Sequence, residues 1–260
     1  MTSEEKNTLS GFLDLASGYC GSGYKREKVS IIESPDTNSS LRVPLAYSVE
    51  EPSEKNSESE NPDCLETVLL DIAACKACAL ASTRTRVVPG EGPQNPLVVV
   101  IGEGPGADED KAGRPFVGRA GQLLDKMLAS IGLSRDKNCY IANMVKCRPP
   151  GNRDPGPEEI ASCLPYLERQ IALLRPKIIL CAGRVAAQNL LKTTQGINAL
   201  RGELSSLKIR ETPGEMETSS ELDIPVLCTF HPSALLRDES LKRPAWEDLK
   251  LLKSQIENRE

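Results

Sequence analysis

The sequence predicts an α/β fold: a central four-stranded parallel sheet covered by helices on both faces, in a three-layer α/β/α sandwich. Two observations predict it. The runs LVVVIG (97–102), CYIANM (139–144), KIILCAG (177–183) and PVLCTF (225–230) are short and continuously apolar, as strands buried on both faces require. Between them lie amphipathic stretches, so strand and helix alternate along the chain, the order that builds parallel sheets.

Taken in order, a helix is read at 64–81, ahead of the first strand at 97–102. RAGQLLDKMLASI (119–131) follows as the second helix and leads to the strand at 139–144. PEEIASCLPYLERQIALL (157–174) is a long helix before the strand at 177–183, and RVAAQNLLK (184–192) a shorter one after it. Residues 205–224 read as a polar surface insertion before the last strand. A helix at 242–257 closes the domain, which spans residues 63–260. Residues 1–62 read as an acidic, disordered extension, because SPDTNSS and VEEPSEKNSESENPD bury too little apolar surface to offset chain entropy.

Composition narrows the function class. Hydrophobic residues make up 39% of the 260, with three Phe, five Tyr and one Trp, so the core is aliphatic. No apolar run approaches the ~20 residues of a membrane span, and the polar start MTSEEKNT is no signal peptide. A soluble, cytoplasmic monomer is expected, with no membrane partner. The net charge of −5 is unevenly spread: residues 1–63 hold 12 acidic and 6 basic residues, leaving 25 and 26 for the rest. The domain is therefore near neutral, and local cation placement decides any phosphate binding.

Nine cysteines with no export signal argue for metal ligation or burial rather than disulfides. Cys75 and Cys78 form a C-x-x-C; Cys147 follows the second strand and Cys163 lies on the helix leaving that loop. Four thiolates from three elements suit tetrahedral zinc or an iron–sulfur cluster, and spacing alone does not separate them. Cys139, Cys181 and Cys228 fall in apolar runs and read as core residues; Cys20 and Cys64 have no evident role.

Ligands of open α/β sheets bind at the carboxyl ends of the strands, and three of the four ends carry unusual text: GEGPGADED, NMVKCRPPGNRDP and HPSALLR. The last contains the only histidine, His231. Together with TRTRVVPGEG (83–92) and GRPFVGRAGQLLDKML (113–128), these blocks resemble, in order, the family 4 uracil-DNA glycosylases. The resemblance covers about residues 64–257. Where the family reads G-E-A-P-G, this chain has Gly104 in place of alanine, which loosens the loop; the acidic extension has no counterpart in the resemblance.

The resemblance implies a uracil-DNA glycosylase-like fold, a structural [4Fe–4S] cluster held by Cys75, Cys78, Cys147 and Cys163, and hydrolysis of the N-glycosidic bond of deoxyuridine in single- and double-stranded DNA. Glu103 would stabilise the oxocarbenium-like sugar; Asp108, Glu109 and Asp110 are alternatives, or else helix caps. Gly104 lines the base pocket, Phe116 stacks on the flipped base, and Asn143 pairs with uracil O4 and N3–H. His231 would donate to uracil O2 as charge builds on the leaving base. Lys146, Arg148, Arg153, Pro232, Ser233 and Arg237 would contact phosphates, and Leu235 would wedge into the gap in the stack. A cluster-bearing nucleic-acid-binding module would share the cysteines and the basic loop but would not need Glu103, Phe116 and Asn143 gathered at one pocket. A glycosylase of the same fold for another deaminated base is the second alternative.

Overall fold

A computed structural model describes residues 63–210 and 220–259; the acidic extension, with Cys20, lies outside the described residues. The elements are α1 (Leu65–Ala74), β1 (Val98–Gly102), α2 (Ala107–Ala112), α3 (Arg119–Ala129), β2 (Cys139–Asn143), α4 (Pro157–Leu174), β3 (Ile178–Ala182), α5 (Arg184–Leu190), α6 (Ile197–Leu200), β4 (Leu204–Arg210), β5 (Glu221–Thr229), α7 (Pro232–Arg237) and α8 (Lys242–Glu257). The sheet order is β2-β1-β3-β5-β4. The first four of these strands are parallel to one another, as expected.

Burial on both faces explains the unbroken apolar runs. Val99, Ile101, Ile179 and Cys181 face Leu167 and Ile171 of α4 and Val185 and Leu190 of α5. Their chain neighbours Val98, Val100, Ile178 and Leu180 face Leu124 and Leu128 of α3 and Leu249 and Leu252 of α8. Successive side chains of a strand point to opposite sides, so both layers of helices draw on the same five-residue strands. Cys139, Cys181 and Cys228 are buried in these layers, as small core residues.

Two expectations change. The segment read as a surface insertion is in large part sheet: β4 pairs antiparallel with β5 from Leu204↔Leu227 to Arg210↔Glu221. Here the apolar residues alternate, with Ile209 and Ile224 buried and Lys208 and Asp223 exposed, because only one face of this edge is covered. Residues 211–219 of that segment lie outside the described residues. The helix read at 64–81 stops at Ala74; Cys75 adopts φ −59° and ψ 134°, and a short 3₁₀ turn follows at Ala79–Ser82.

Lys146, expected on a phosphate, is 1% exposed. Its Nζ donates to Asn143 O at 3.0 Å and to Gln170 Oε1 at 2.7 Å, while Gln170 Nε2 donates to Pro89 O and Tyr140 Oη. The ammonium is a buried strut between the end of β2 and α4. A buried ammonium keeps its place only where carbonyl acceptors replace its water shell, and so deep a burial withdraws it from a phosphate in solvent.

Register fixes where the strands end. Gly102 lies beside Asn143 and Ala182 beside Thr229, so the four parallel strands deliver their loops to one edge of the sheet.

Candidate active site

The loops after β1 and β2 run side by side, since Met144 N donates to Gly102 O at 2.9 Å and Val145 N to Glu103 O at 3.2 Å. β1 must end in a residue without a side chain: a Cβ on Gly102 would sit 2.5 Å from Asn143 Oδ1 and 2.6 Å from Phe116 Cζ. Asn143 and Phe116 thus close directly over the strand end. Across the sheet, Gly183 adopts φ 100°, and a Cβ there would lie 2.8 Å from His231 Cβ. The left-handed turn at the end of β3 makes the space that the histidine occupies.

These loops enclose a cleft of about 690 Å³ lined by Glu103, Gly104, Phe116, Asn143, His231 and the rim residue Arg237. The residues expected at the base and at the sugar therefore share one cavity. The ring centroids of Phe116 and His231 are 5.6 Å apart with planes tilted by 32°. Asn143 is 1% exposed, and its Oδ1 is the one buried side-chain polar atom among the described residues without a hydrogen-bond partner.

His231 caps α7. Its Nδ1 accepts from Ser233 N at 3.1 Å and lies 2.8 Å from Ser233 Oγ. An Nδ1 that accepts a backbone N–H carries no proton itself, so the neutral ring bears its proton on Nε2. Burial, reinforced by the Arg237 charge, pulls the imidazole down to about 4. The ring is neutral at physiological pH, which leaves Nε2–H as its one donor. Ser233, expected on a phosphate, directs both its N–H and its hydroxyl at this ring instead.

Glu103 is half-buried, and its carboxyl is raised above the usual carboxylate range, by desolvation first and then by the Asp154 charge, with Arg184 acting the other way. The alternative acids are occupied or exposed. Glu109 Oε1 accepts from Val117 N and Gly118 N, both at 2.9 Å, and Oε2 from Gly106 N at 3.1 Å. Asp110 is buried and accepts from Thr85 N at 2.9 Å. Asp108 is exposed.

Around the rim, Arg153 is held bidentate on Glu159 at 2.8 and 2.7 Å and still lines the cleft. Arg148 donates to Asn152 Oδ1 at 2.8 Å and stands outside the cleft lining. Leu235, expected as the wedge, is 2% exposed and clusters with Phe230 and Ala245. The exposed leucine is Leu236, at 41%. Pro232 is buried at the first position of α7, where its fixed φ suits a helix start. Sequence reasoning missed Arg119, Asp154 and Arg184, all on the cleft. Asp154 lay within a quoted motif, whereas Arg184, paired with Asp154, follows the one strand end whose text looked ordinary.

On the far side of the loop after β2, Cys75, Cys78, Cys147 and Cys163 line a single cavity with Arg84 and Tyr166. Arg84 Nη1 donates to Cys147 Sγ at 3.1 Å, and Lys146 N to Cys163 Sγ at 3.3 Å. Burial pushes the Cys163 thiol up to about 11. Among the described residues, no three His, Cys, Asp or Glu side chains close around one point as the ligands of a single ion do. The four cysteines thus gather soft sulfur donors at one cavity, a donor set suited to soft transition metals or an iron–sulfur group.

Residues 89–250 match the family model described as the uracil DNA glycosylase superfamily. The chain is 41% identical over 189 residues to the type-4 uracil-DNA glycosylase of Archaeoglobus fulgidus, covering 72% of this chain and 91% of that one. It is 41% identical over 196 residues to the type-4 enzyme of Thermotoga maritima, covering 75% and 95%. A type-5 uracil-DNA glycosylase of Pyrobaculum aerophilum is 31% identical over 164 residues, covering 58% of this chain and 67% of its own length. With the strand-end loops, the cleft and the four-cysteine cavity in the places described, the chain belongs to the uracil-DNA glycosylase superfamily, in its type-4 branch.

Proposed function

We propose that the protein hydrolyses the N-glycosidic bond of deoxyuridine in DNA, releasing free uracil and leaving an abasic site for repair. The observation that carries this reading is the buried, unpartnered Oδ1 of Asn143, a residue of the cleft lining. A buried acceptor without a partner costs about 1–3 kcal/mol, and uracil N3–H is the donor that relieves it, while the amide N–H₂ of the same side chain donates to O4. Cytosine inverts both groups, with an amino donor at position 4 and a bare N3.

In this reading Phe116 stacks on the flipped base, over Gly104 at the cleft wall. The C1′–N1 bond breaks with its electron pair moving to the base, where it spreads onto O2. His231 donates from Nε2 to O2 and keeps its proton, since its low pKa and the Ser233 N–H hold the ring neutral and a neutral imidazole N–H is a very weak acid. Glu103 faces the sugar, offsets its positive charge, and accepts the proton that water releases on adding at C1′. Arg153 and Arg237 at the rim, with Arg148 beside it, contact the DNA backbone. Leu236, one residue along from the leucine expected, is the side chain exposed to fill the gap in the stack.

Cys75, Cys78, Cys147 and Cys163 would hold a [4Fe–4S] cluster, which supplies a cross-link rather than chemistry at the base. Bound there, it would tie the end of α1 to α4 and to the loop that follows Asn143.

Asn143→Asp exchanges the amide donor for a second acceptor. Excision from uracil-containing oligonucleotides, read after alkaline cleavage, is expected to fall by ~10⁴ with weak cytosine release appearing; an unchanged uracil rate would remove Asn143 from base reading.

Glu103 works ionised, so activity falls as pH drops through its raised pKa. Asp154→Asn removes a neighbouring negative charge, lowers that pKa and moves the acid limb of single-turnover excision to lower pH. Arg184→Gln removes a positive charge and moves it to higher pH. Shifts in the same direction, or none, would contradict the assignment of Glu103.

Leu236→Ala is expected to slow excision more on double- than on single-stranded substrate. Leu235→Ala should instead destabilise the fold, by about 2–5 kcal/mol as buried leucines do, and affect both substrates alike.

Protein purified without oxygen should be brown and carry about four irons per chain. Stoichiometric zinc in their place would overturn the cluster.

A further inference from the structure

Phe116 sits in a backbone conformation that a bulky side chain avoids. Its φ is 51°, in the left-handed region that is unfavourable for a residue other than glycine and persists only where the surroundings enforce it. Three features enforce it. Arg135 donates from Nη1 to Pro115 O and from Nη2 to Phe116 O, both at 2.9 Å. Glu109 holds the next two N–H groups, those of Val117 and Gly118. Beneath the turn α3 presents Gly121, where a Cβ would lie 1.9 Å from Phe116 O, so the turn rests directly on the helix backbone.

Arg135 is itself fixed. Its Nε and Nη2 bind Asp125 Oδ1 at 3.0 and 2.8 Å, Glu91 lies 3.8 Å away, and the side chain is 9% exposed. It stands in the turn before β2, outside every motif that carries the family resemblance, and does not line the cleft.

We propose that Arg135 is a positioning residue for base recognition. By clamping two consecutive carbonyls it keeps Phe116 in the left-handed turn that lays its ring across the base site beside His231. This rests on the reading of Phe116 as the stacking face. Only a planar fork reaches two carbonyls and a carboxylate at once; a lysine ammonium offers a point charge on a flexible stem. With the clamp gone the turn relaxes toward negative φ and the ring leaves its place, and a displacement of about 1 Å costs up to ~10²-fold in rate.

The test is single-turnover excision from a single-stranded uracil oligonucleotide, with melting curves, for Arg135→Met, Arg135→Lys, Phe116→Ala and the Arg135→Met/Phe116→Ala double variant. Arg135→Met is expected to lose roughly 10²-fold while remaining folded at the assay temperature, and Arg135→Lys to recover part of that loss. The double variant should be no slower than Phe116→Ala, because the clamp then has no ring to position. A slow Phe116→Ala enzyme beside additive losses in the double variant, or beside an Arg135→Met loss no larger than its unfolded fraction, would overturn the clamp alone. A Phe116→Ala enzyme at the parental rate would overturn the stacking reading and the clamp with it. Should Arg135→Met fail to fold, Asp125→Asn, which loosens the guanidinium without removing it, takes its place: a smaller loss that vanishes in the Phe116→Ala background supports the clamp, and an additive or absent one overturns it.

Discussion

Desolvation at the carboxyl ends of the parallel strands sets the character of each group in the cleft. His231 is held neutral because an imidazolium there would lose its water and face the Arg237 charge. Glu103 binds its proton more tightly than a surface glutamate because it is half out of water and near Asp154. Asn143 keeps an unpaired acceptor because Gly102 and Phe116 close over it. Such groups interact strongly with a ligand that completes them and penalise one that does not. A neutral donor suits a leaving base that acquires negative charge: it stabilises that charge without having to surrender a proton.

Dry polar groups are useful only where they cannot turn away, and the second layer of hydrogen bonds supplies that restraint. Ser233 N–H sets the tautomer of His231. Gly183, in its left-handed turn, clears the space for the ring. Lys146 pins the Asn143 carbonyl to Gln170, and Glu109 joins the loop after β1 to the turn carrying Phe116. Each of these contacts restrains a residue that lines the cleft. The four-cysteine cavity belongs to the same layer, since Cys147 and Cys163 flank the strut that ends on Asn143.

Strands buried on both faces were legible because they leave no polar position; LVVVIG and KIILCAG admit few other readings. β4 was not, because its alternation of Leu207, Lys208, Ile209 and Arg210 looks polar unless the partner strand that covers one face is known. Burial of charge was equally hidden: Lys146 reads as a surface cation until Gln170, 24 positions away, is seen to receive it. The two leucines of HPSALLR differ by one position on a six-residue helix, too short for periodicity to fix its phase, and the structure turns Leu235 inward and Leu236 outward. Glu103, Gly104, Phe116, Asn143 and His231 line one cleft, whereas Arg135 stands in a turn and Arg184 at the start of a helix, and the text around neither carries a signal of its own.

The neutral state of His231 is where the account is most exposed to measurement. The chain has one histidine, so labelling that amino acid with ¹⁵N gives the spectrum of a single imidazole, free of overlap. Followed from pH 8 downward, the ring should remain the Nε2–H tautomer, with Nδ1 showing the shift of a hydrogen-bonded acceptor, and should protonate only near 4. A ring that titrates close to the ordinary 6.5, or that carries its proton on Nδ1 at neutral pH, would contradict the picture of a dry cleft with a locked neutral donor.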